Sequence, residues 1–207
     1  MNKKQVEKTH YEFNRYMTKN RWGSIWHQVD EIQRVKPENV LEIGLGSGLL
    51  KAALQTFGFK IETLDIDPDL KPDHVGSATN MHFPHAFYDV VCAFQILEHL
   101  PYEVSLQAFI EMVRVSRHHV IISLPDAKNV WYYRIHLPKF GAYNFFIPRP
   151  QLCTCVHKFD GEHYWEINKR DYPLSRVIAD FSQHICLIKT YRVWENPYHR
   201  FFVFSKK

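Results

Sequence analysis

The chain has 207 residues, 45% hydrophobic and 23% charged, the proportions of an ordinary folded protein with room for a sizeable core. Its 26 basic and 22 acidic residues leave a net charge of +4, too small an excess to mark a nucleic-acid binder. No run reaches the roughly 18 apolar residues of a membrane helix, "MNKKQVEKTHYEF" lacks the apolar stretch of a signal peptide, and the four cysteines fit reduced thiols in a cytoplasmic protein better than a disulfide scaffold.

In chain order, Val6, His10, Phe13 and Met17 recur at helical spacing, and Trp22, Ile25, Trp26, Val29 and Ile32 form a clearer stripe ending at Pro37. Residues 1–36 therefore read as a helical cover, with both tryptophans expected in the core. "NVLEIG" (39–44) reads as a strand. Leu49, Leu50, Ala53, Leu54 and Phe57 then make one helix face, which Gly58 terminates. "FKIETLDID" (59–67) is a second strand, stopped by Pro68. "FYDVVCAFQIL" (87–97) is an almost unbroken apolar run, expected of a strand covered on both sides in a parallel sheet. Pro101 opens a helix with Leu106, Phe109, Ile110 and Val113 on its core face, and "HHVIISLP" (118–125) is another strand. Residues 125–170 show no clean period and read as an insertion above the carboxyl edge of the sheet. Pro173 starts a helix carrying Leu174, Val177, Ile178 and Phe181. "HICLIKTYRVW" (184–194) and "HRFFVFSK" (199–206) close the chain around the turn "ENPY". Cys92 and Cys186, inside apolar runs, are expected as small core residues. Alternating strands and helices predict an α/β, doubly wound, mostly parallel sheet with a C-terminal hairpin that adds one antiparallel strand.

Three of the eight glycines fall at 44, 46 and 48, between a strand and a helix. Such a turn lets a ligand approach the main chain at a helix N-terminus. Glu42 lies inside the strand, where a charge needs a partner. Asp65 ends the second strand 23 positions later, near the spacing at which an acid meets ribose hydroxyls. "VLEIGLGSG", "TLDID" and "FYDVVCAFQILEHL" together resemble class I S-adenosylmethionine-dependent methyltransferases of the broad type 11 group. The likeness covers residues 39–124 well and the remainder loosely. It implies a Rossmann-like seven-stranded sheet, S-adenosylmethionine as cofactor and a small-molecule acceptor.

By the same resemblance, Glu42, Gly44, Gly46, Ser47 and Gly48 surround the methionine part. Asp65 holds the ribose with Asp67 as competitor, and a surface position beside Pro68 is the simpler reading of Asp67. Ile66 packs on the adenine, and Ser77 stands where an acid is expected before Ala78. Phe94, Gln95 and Leu97 line the methionine end. Segments before the first strand cover the site in that family, which points to Tyr11, Arg15, Tyr16 and Trp22.

Methyl transfer needs alignment first and a general base only where the acceptor must lose a proton. His163, beside Glu162 and Glu166, and His99, just past a strand's carboxyl end, are the candidates, while Glu98 is expected to cap or salt-bridge the next helix. "CTCVH" would bring Cys153, Cys155 and His157 to one face if it were a strand, which keeps a metal site in view, although cysteines packed on a sheet-like segment are the plainer reading. His82 and His85 have no ligand set around them. Ten of the 31 aromatics fall in residues 131–165. They read as an acceptor pocket, as a cap or dimer contact, or as a peripheral membrane contact helped by Arg134, Lys139 and Arg149. A nicotinamide-dependent oxidoreductase, a non-catalytic cofactor-binding protein and a nucleic-acid module are the rival readings.

Overall fold

The structure, a computed structural model, describes residues 12–151 and 155–206. Val6, His10, Tyr11, Cys153 and the side chain of Arg15 lie outside the described residues.

Two helices, α1 (Phe13–Tyr16) and α2 (Lys19–Arg34), precede β1 (Val40–Ile43), α3 (Leu49–Thr56), β2 (Ile61–Asp65) and the short β3 (His74–Val75). Then come β4 (Tyr88–Phe94), α4 (Tyr102–Val115), β5 (Ser116–Pro125), the pair β6 (Val130–Leu137) and β7 (Gly141–Pro148), α5 (Leu174–Ser182), β8 (Cys186–Arg192) and β9 (His199–Ser205). The sheet runs β3-β2-β1-β4-β5-β9-β8. β1 to β5 are mutually parallel, and only β9 runs against its neighbours, because it returns through a hairpin from β8. The predicted doubly wound sheet and its one reversed strand are both present.

Alternate residues of the central strands feed two cores. Val91, Ala93, Val120 and Ile122 pack with Phe109 and Met112 of α4 and Val177 and Phe181 of α5. Val90, Cys92 and Ile121 pack with Ile32 of α2 and Leu50 and Leu54 of α3. β4 is buried on both sides except at Phe94, as its apolar run requires.

Several positions depart from the sequence expectation. Trp22 and Trp26 are 48% and 59% exposed, because α2 instead buries Ser24 with Glu31 and Ile25 with Ile32, each pair seven residues apart. The small residues there let α2 lie against the turn before β9. A Cβ on Gly23 would stand 2.7 Å from Glu195 Cβ, and Ser24 Oγ accepts from Asn196 Nδ2 at 3.2 Å. Glu31 is tolerated inside because Lys189 Nζ and Tyr191 Oη bind it at 2.8 and 2.7 Å. Phe57 and Ile110 are exposed. α4 turns Tyr102, Ser105, Phe109 and Met112 inward, a face rotated from the predicted one. Cys186 is exposed on the edge strand β8, while Cys92 is fully buried. The segment without a period contains a β-hairpin, β6–β7, separate from the main sheet. Trp165, later in the same segment, belongs to the core, edge-on to Tyr102 at 4.9 Å. Among the described residues no helix is long and apolar enough to cross a membrane.

Candidate functional site

Parallel strands end at one edge, and ligands of open α/β sheets bind there. The turn after β1 has Gly44, Gly46 and Gly48 at φ +81°, +53° and +74°, a region that L side chains resist. Gly44 has a second reason to be glycine. A Cβ there would lie 2.1 Å from Ile96 Cδ1, so the turn is pressed against the segment following β4. Gly48 stands immediately before α3, whose first amides carry partial positive charge.

Glu42 lies beneath this turn, buried, with no partner for Oε2 among the described residues. Burial holds its carboxyl well above the usual carboxylate range, opposed by the charge of Lys51. A cationic ligand group above the turn would satisfy it.

Asp65, at the end of β2, has a role that spacing alone does not reveal. Its Oδ2 accepts from the Leu45 amide at 2.8 Å and its Oδ1 from the Asp67 amide at 2.9 Å. The carboxylate thus ties the glycine turn to β2, and each oxygen has a second lone pair for a ligand hydroxyl. Asp67 is buried rather than a surface residue, and its Oδ1 accepts from Asp69 N at the start of the 3-10 turn Pro68–Leu70. Ile66 between them is exposed. β3 pairs with β2 at Asp65↔Val75, which brings Ser77 and Ala78 to the same edge. The Ser77 and Thr79 hydroxyls bond each other at 2.9 Å, and Ala78 rests on the core.

Past β4, Phe94 packs on the second core and on the Phe201 ring at 5.6 Å. Gln95 adopts φ +57°, held by its amide to Ser123 O at 3.0 Å and by Nε2 to Ser123 Oγ at 3.2 Å. A non-glycine residue in this region is uncommon and concentrates at functional edges. Leu97 is buried in the core and supports the edge from behind.

The two histidines named from sequence come together across 64 residues. His99 ends the 3-10 turn Leu97–His99, and its ring meets that of His163 edge to face at 5.0 Å. The segment 160–166 is laced to that turn: the Tyr164 amide donates to Glu98 O at 2.9 Å and His99 Nδ1 donates to Glu162 O at 3.0 Å. His163 Nδ1 donates to Glu166 Oε1 at 3.0 Å, and Tyr198 Oη donates to the same oxygen. Burial works against the charged form of His163, but the Glu166 hydrogen bond and the charges of Glu98, Glu166 and Asp160 outweigh it and raise its pKa. Burial lowers that of His99. Glu166 falls to about 2 despite its burial, through its bonds to His163 and Tyr198.

Among the described residues Glu98 neither caps the next helix nor forms a salt bridge. It is fully buried, no other described residue hydrogen-bonds its carboxylate, and burial pushes it up to about 8 against the pull of its own backbone amide. Glu98, His99 and His163 each offer a ligand atom within 4.8 Å of the others, as do Asp160, His163 and Glu166. The cysteine segment is different. Residues 155–157 are not a strand, Cys155 is exposed, and His157 Nε2 donates to His163 O at 2.9 Å.

Sequence reasoning missed the base of the β6–β7 hairpin. Asp126, buried at the end of β5, accepts from Arg200 Nε at 2.7 Å, from Asn168 Nδ2 at 2.8 Å and from the Lys128 amide at 3.0 Å, with Arg192 Nε 3.5 Å away. No local pattern announces it, since its side-chain partners lie 42 to 74 residues downstream.

The profile of a methyltransferase domain family matches residues 13–187. No curated protein sequence matches. Among solved structures, the PH0226 protein of Pyrococcus horikoshii aligns with a TM-score of 0.64 at 15% identity, over 98% of this chain and 100% of that one. A 1,6-didemethyltoxoflavin-N1-methyltransferase of Burkholderia thailandensis, crystallised with 1,6-didemethyltoxoflavin and S-adenosylhomocysteine, aligns at 0.61 and 12% identity, over 96% and 84%. An S-adenosylmethionine-dependent methyltransferase of Clostridium acetobutylicum aligns at 0.59 and 12%, over 95% of each chain. At these identities the likeness is one of fold.

Proposed function

This chain belongs to the methyltransferase domain family, and from that premise we propose that it binds S-adenosylmethionine on the glycine turn and methylates a small or medium-sized acceptor held beside His99 and His163. Family membership displaces the nicotinamide-dependent reading of the same turn. The observation that carries the cofactor assignment is Glu42, a buried carboxylate with an orphaned oxygen under three left-handed glycines.

The residues present fit an adenosyl sulfonium amino acid. Glu42, Gly44, Gly46, Ser47 and Gly48 would take its amino-acid end, with Phe94 and Gln95 beside it. Asp65 would accept from the ribose hydroxyls through the lone pairs its amide bonds leave open, Asp67 sets the 3-10 turn behind it, and Ile66, Ser77 and Ala78 would border the adenine. When bound, the cofactor supplies a methyl group on a sulfonium, so its leaving group is a neutral thioether.

The protein's own contribution is placement and proton handling. Gln95, locked by Ser123, fixes the backbone next to the reacting centre. His163, anchored by Glu166 and Tyr198, would take the proton an acceptor hydroxyl or ammonium loses, with His99 orienting the acceptor. The described residues of 125–170 would wall the acceptor side and residues 12–36 the cofactor side. Free thiols at Cys92, Cys155 and Cys186 support a reducing, cytoplasmic setting.

Calorimetric titration with S-adenosylmethionine, paired with an assay of S-adenosylhomocysteine release over an acceptor panel, tests the reading. Binding with turnover is expected. Absence of binding removes the cofactor, and binding without turnover on any acceptor leaves an accessory protein.

A further inference from the structure

The β6–β7 hairpin has two unlike faces. Antiparallel pairing sets Trp131 opposite Ile147, Tyr133 opposite Phe145 and Ile135 opposite Tyr143, with Leu137 next toward the tip. Directly paired residues share a face, so these seven side chains form one surface without a polar interruption. Each is 41–52% exposed. With side chains of about 200 Å² each, the patch is on the order of 600 Å², at the top of the range for a monomer and large enough to mark an interaction site. The opposite face holds Tyr132 and Phe146, which pack on Trp194 at 5.9 and 4.6 Å, then Arg134 and Asn144. The hairpin therefore has a body side and an outer side.

Charge selects the occupant. Residues 127–159 contain Lys128, Arg134, Lys139, Arg149 and Lys158 and no Asp or Glu. Lys139 lies at the hairpin tip beside the exposed Phe140, and the Arg149 guanidinium stands over the Trp131 ring at 5.6 Å, at the base. Cations thus frame an apolar surface that carries Trp and Tyr, residues with an apolar body and a polar rim, which favour the headgroup level of bilayers. A second copy would bring the same uncompensated positive charge against the first. Single-stranded nucleic acid would use the rings as stacking planes, but Ile135, Leu137 and Ile147 in the same patch offer it none.

We propose that this outer face seats the protein on an anionic lipid bilayer, with the apolar side chains among the acyl chains and the flanking cations at the headgroups. The hairpin leaves the sheet at the carboxyl end of β5, the edge that also carries the glycine turn and the His99–His163 pair. Docking would hold that edge at the membrane surface, so the acceptor would be a lipid-borne or membrane-dissolved molecule. The acceptor clause rests on the methyltransferase reading; the docking does not.

Co-sedimentation of the full chain with vesicles of phosphatidylcholine and of phosphatidylcholine containing 30% phosphatidylglycerol tests it. Binding to the anionic vesicles is expected, weakening with salt without vanishing. Tyr133→Ser with Phe145→Ser should reduce partitioning at least tenfold, and Lys139→Glu with Arg149→Glu should abolish the preference for anionic lipid. Unchanged melting temperature and cofactor titration would show that these variants fold. Hydrogen exchange of the unmodified chain gives a readout free of mutation: vesicles should protect residues 130–148. Equal or absent binding to both vesicles, retention by the aromatic variant, a concentration-dependent doubling of mass as the only effect of the face, or preferential capture of poly-uridine would each overturn the proposal. A chain that binds vesicles but not S-adenosylmethionine would keep the docking and remove the methyltransferase reading.

Discussion

At the ends of β1 and β2 the working groups are main-chain atoms, a buried glutamate and one aspartate, all within residues 42–67. At the ends of β4 and β5 they are side chains gathered from residues 95 to 200, tied by Glu162 to His99, Glu166 to His163 and Tyr198, and Arg200 to Asp126. The first region is a property of a turn and depends on backbone geometry that glycine permits. The second is a property of the fold and exists only when distant segments are held together. The glycine-turn region is thus built for one shape, and the region around His99 and His163 can be re-lined by changing side chains.

The largest expected effect breaks the second region at its base. Asp126→Ala leaves Arg200 and Arg192 without their buried counter-charge and should lower stability by about 3–5 kcal/mol, read as a shift of the urea midpoint. If the midpoint stays put, the hairpin base does not hold the acceptor side.

His163→Ala should come next, lowering turnover by about 10²-fold or more while sparing cofactor affinity. Full activity would remove the base. The same residue sharpens the comparison through pH. A base acts when neutral, so turnover should rise as pH climbs through the raised His163 value. Glu166→Gln, which removes the charge that raises it, should move that inflection to lower pH. For stability the sign is opposite. The His163 contribution is fully present below its unfolded value near 6.5 and is lost as pH rises through the higher folded one. A pH profile unmoved by Glu166→Gln would detach the pair from catalysis.

On the cofactor side, Asp65→Ala should weaken S-adenosylmethionine binding by about 1–3 kcal/mol, measured by calorimetry. It removes two amide contacts as well as any ribose contact, so Asp65→Asn, able to keep one amide acceptor, should fall between. Ser77→Ala should cost less than about 1 kcal/mol of affinity, because its hydroxyl is already paired with Thr79. A larger loss would make Ser77 a principal adenine contact.

Much of the glycine-turn region was legible because its signals are local: a glycine every second residue, an acid inside a strand, an acid at the next strand's end. The sheet was legible for the same reason, apolar runs and stripes being short-range patterns. Where stripes misled, packing had chosen a different face. α2 buries Ser24 and Glu31 because Asn196, Lys189 and Tyr191 are there to bond them, and Trp22 and Trp26 are left outside. The β6–β7 hairpin escaped notice because Tyr132 and Phe146, on the face opposite the apolar one, break the alternation of apolar and polar residues near its base.

Sequence alone thus determined the winding of the sheet, the reversed strand near its end and the place of the glycine turn, since each follows from spacing and backbone freedom within a few residues. Tertiary structure alone decided that Asp65 braces that turn, that Glu98 is sealed with no other described residue bonded to its carboxylate, that His99 and His163 meet, and that seven hairpin side chains form one bare face. Those facts depend on which groups face one another across tens of residues, and burial and hydrogen bonding take effect only once the chain has closed those distances.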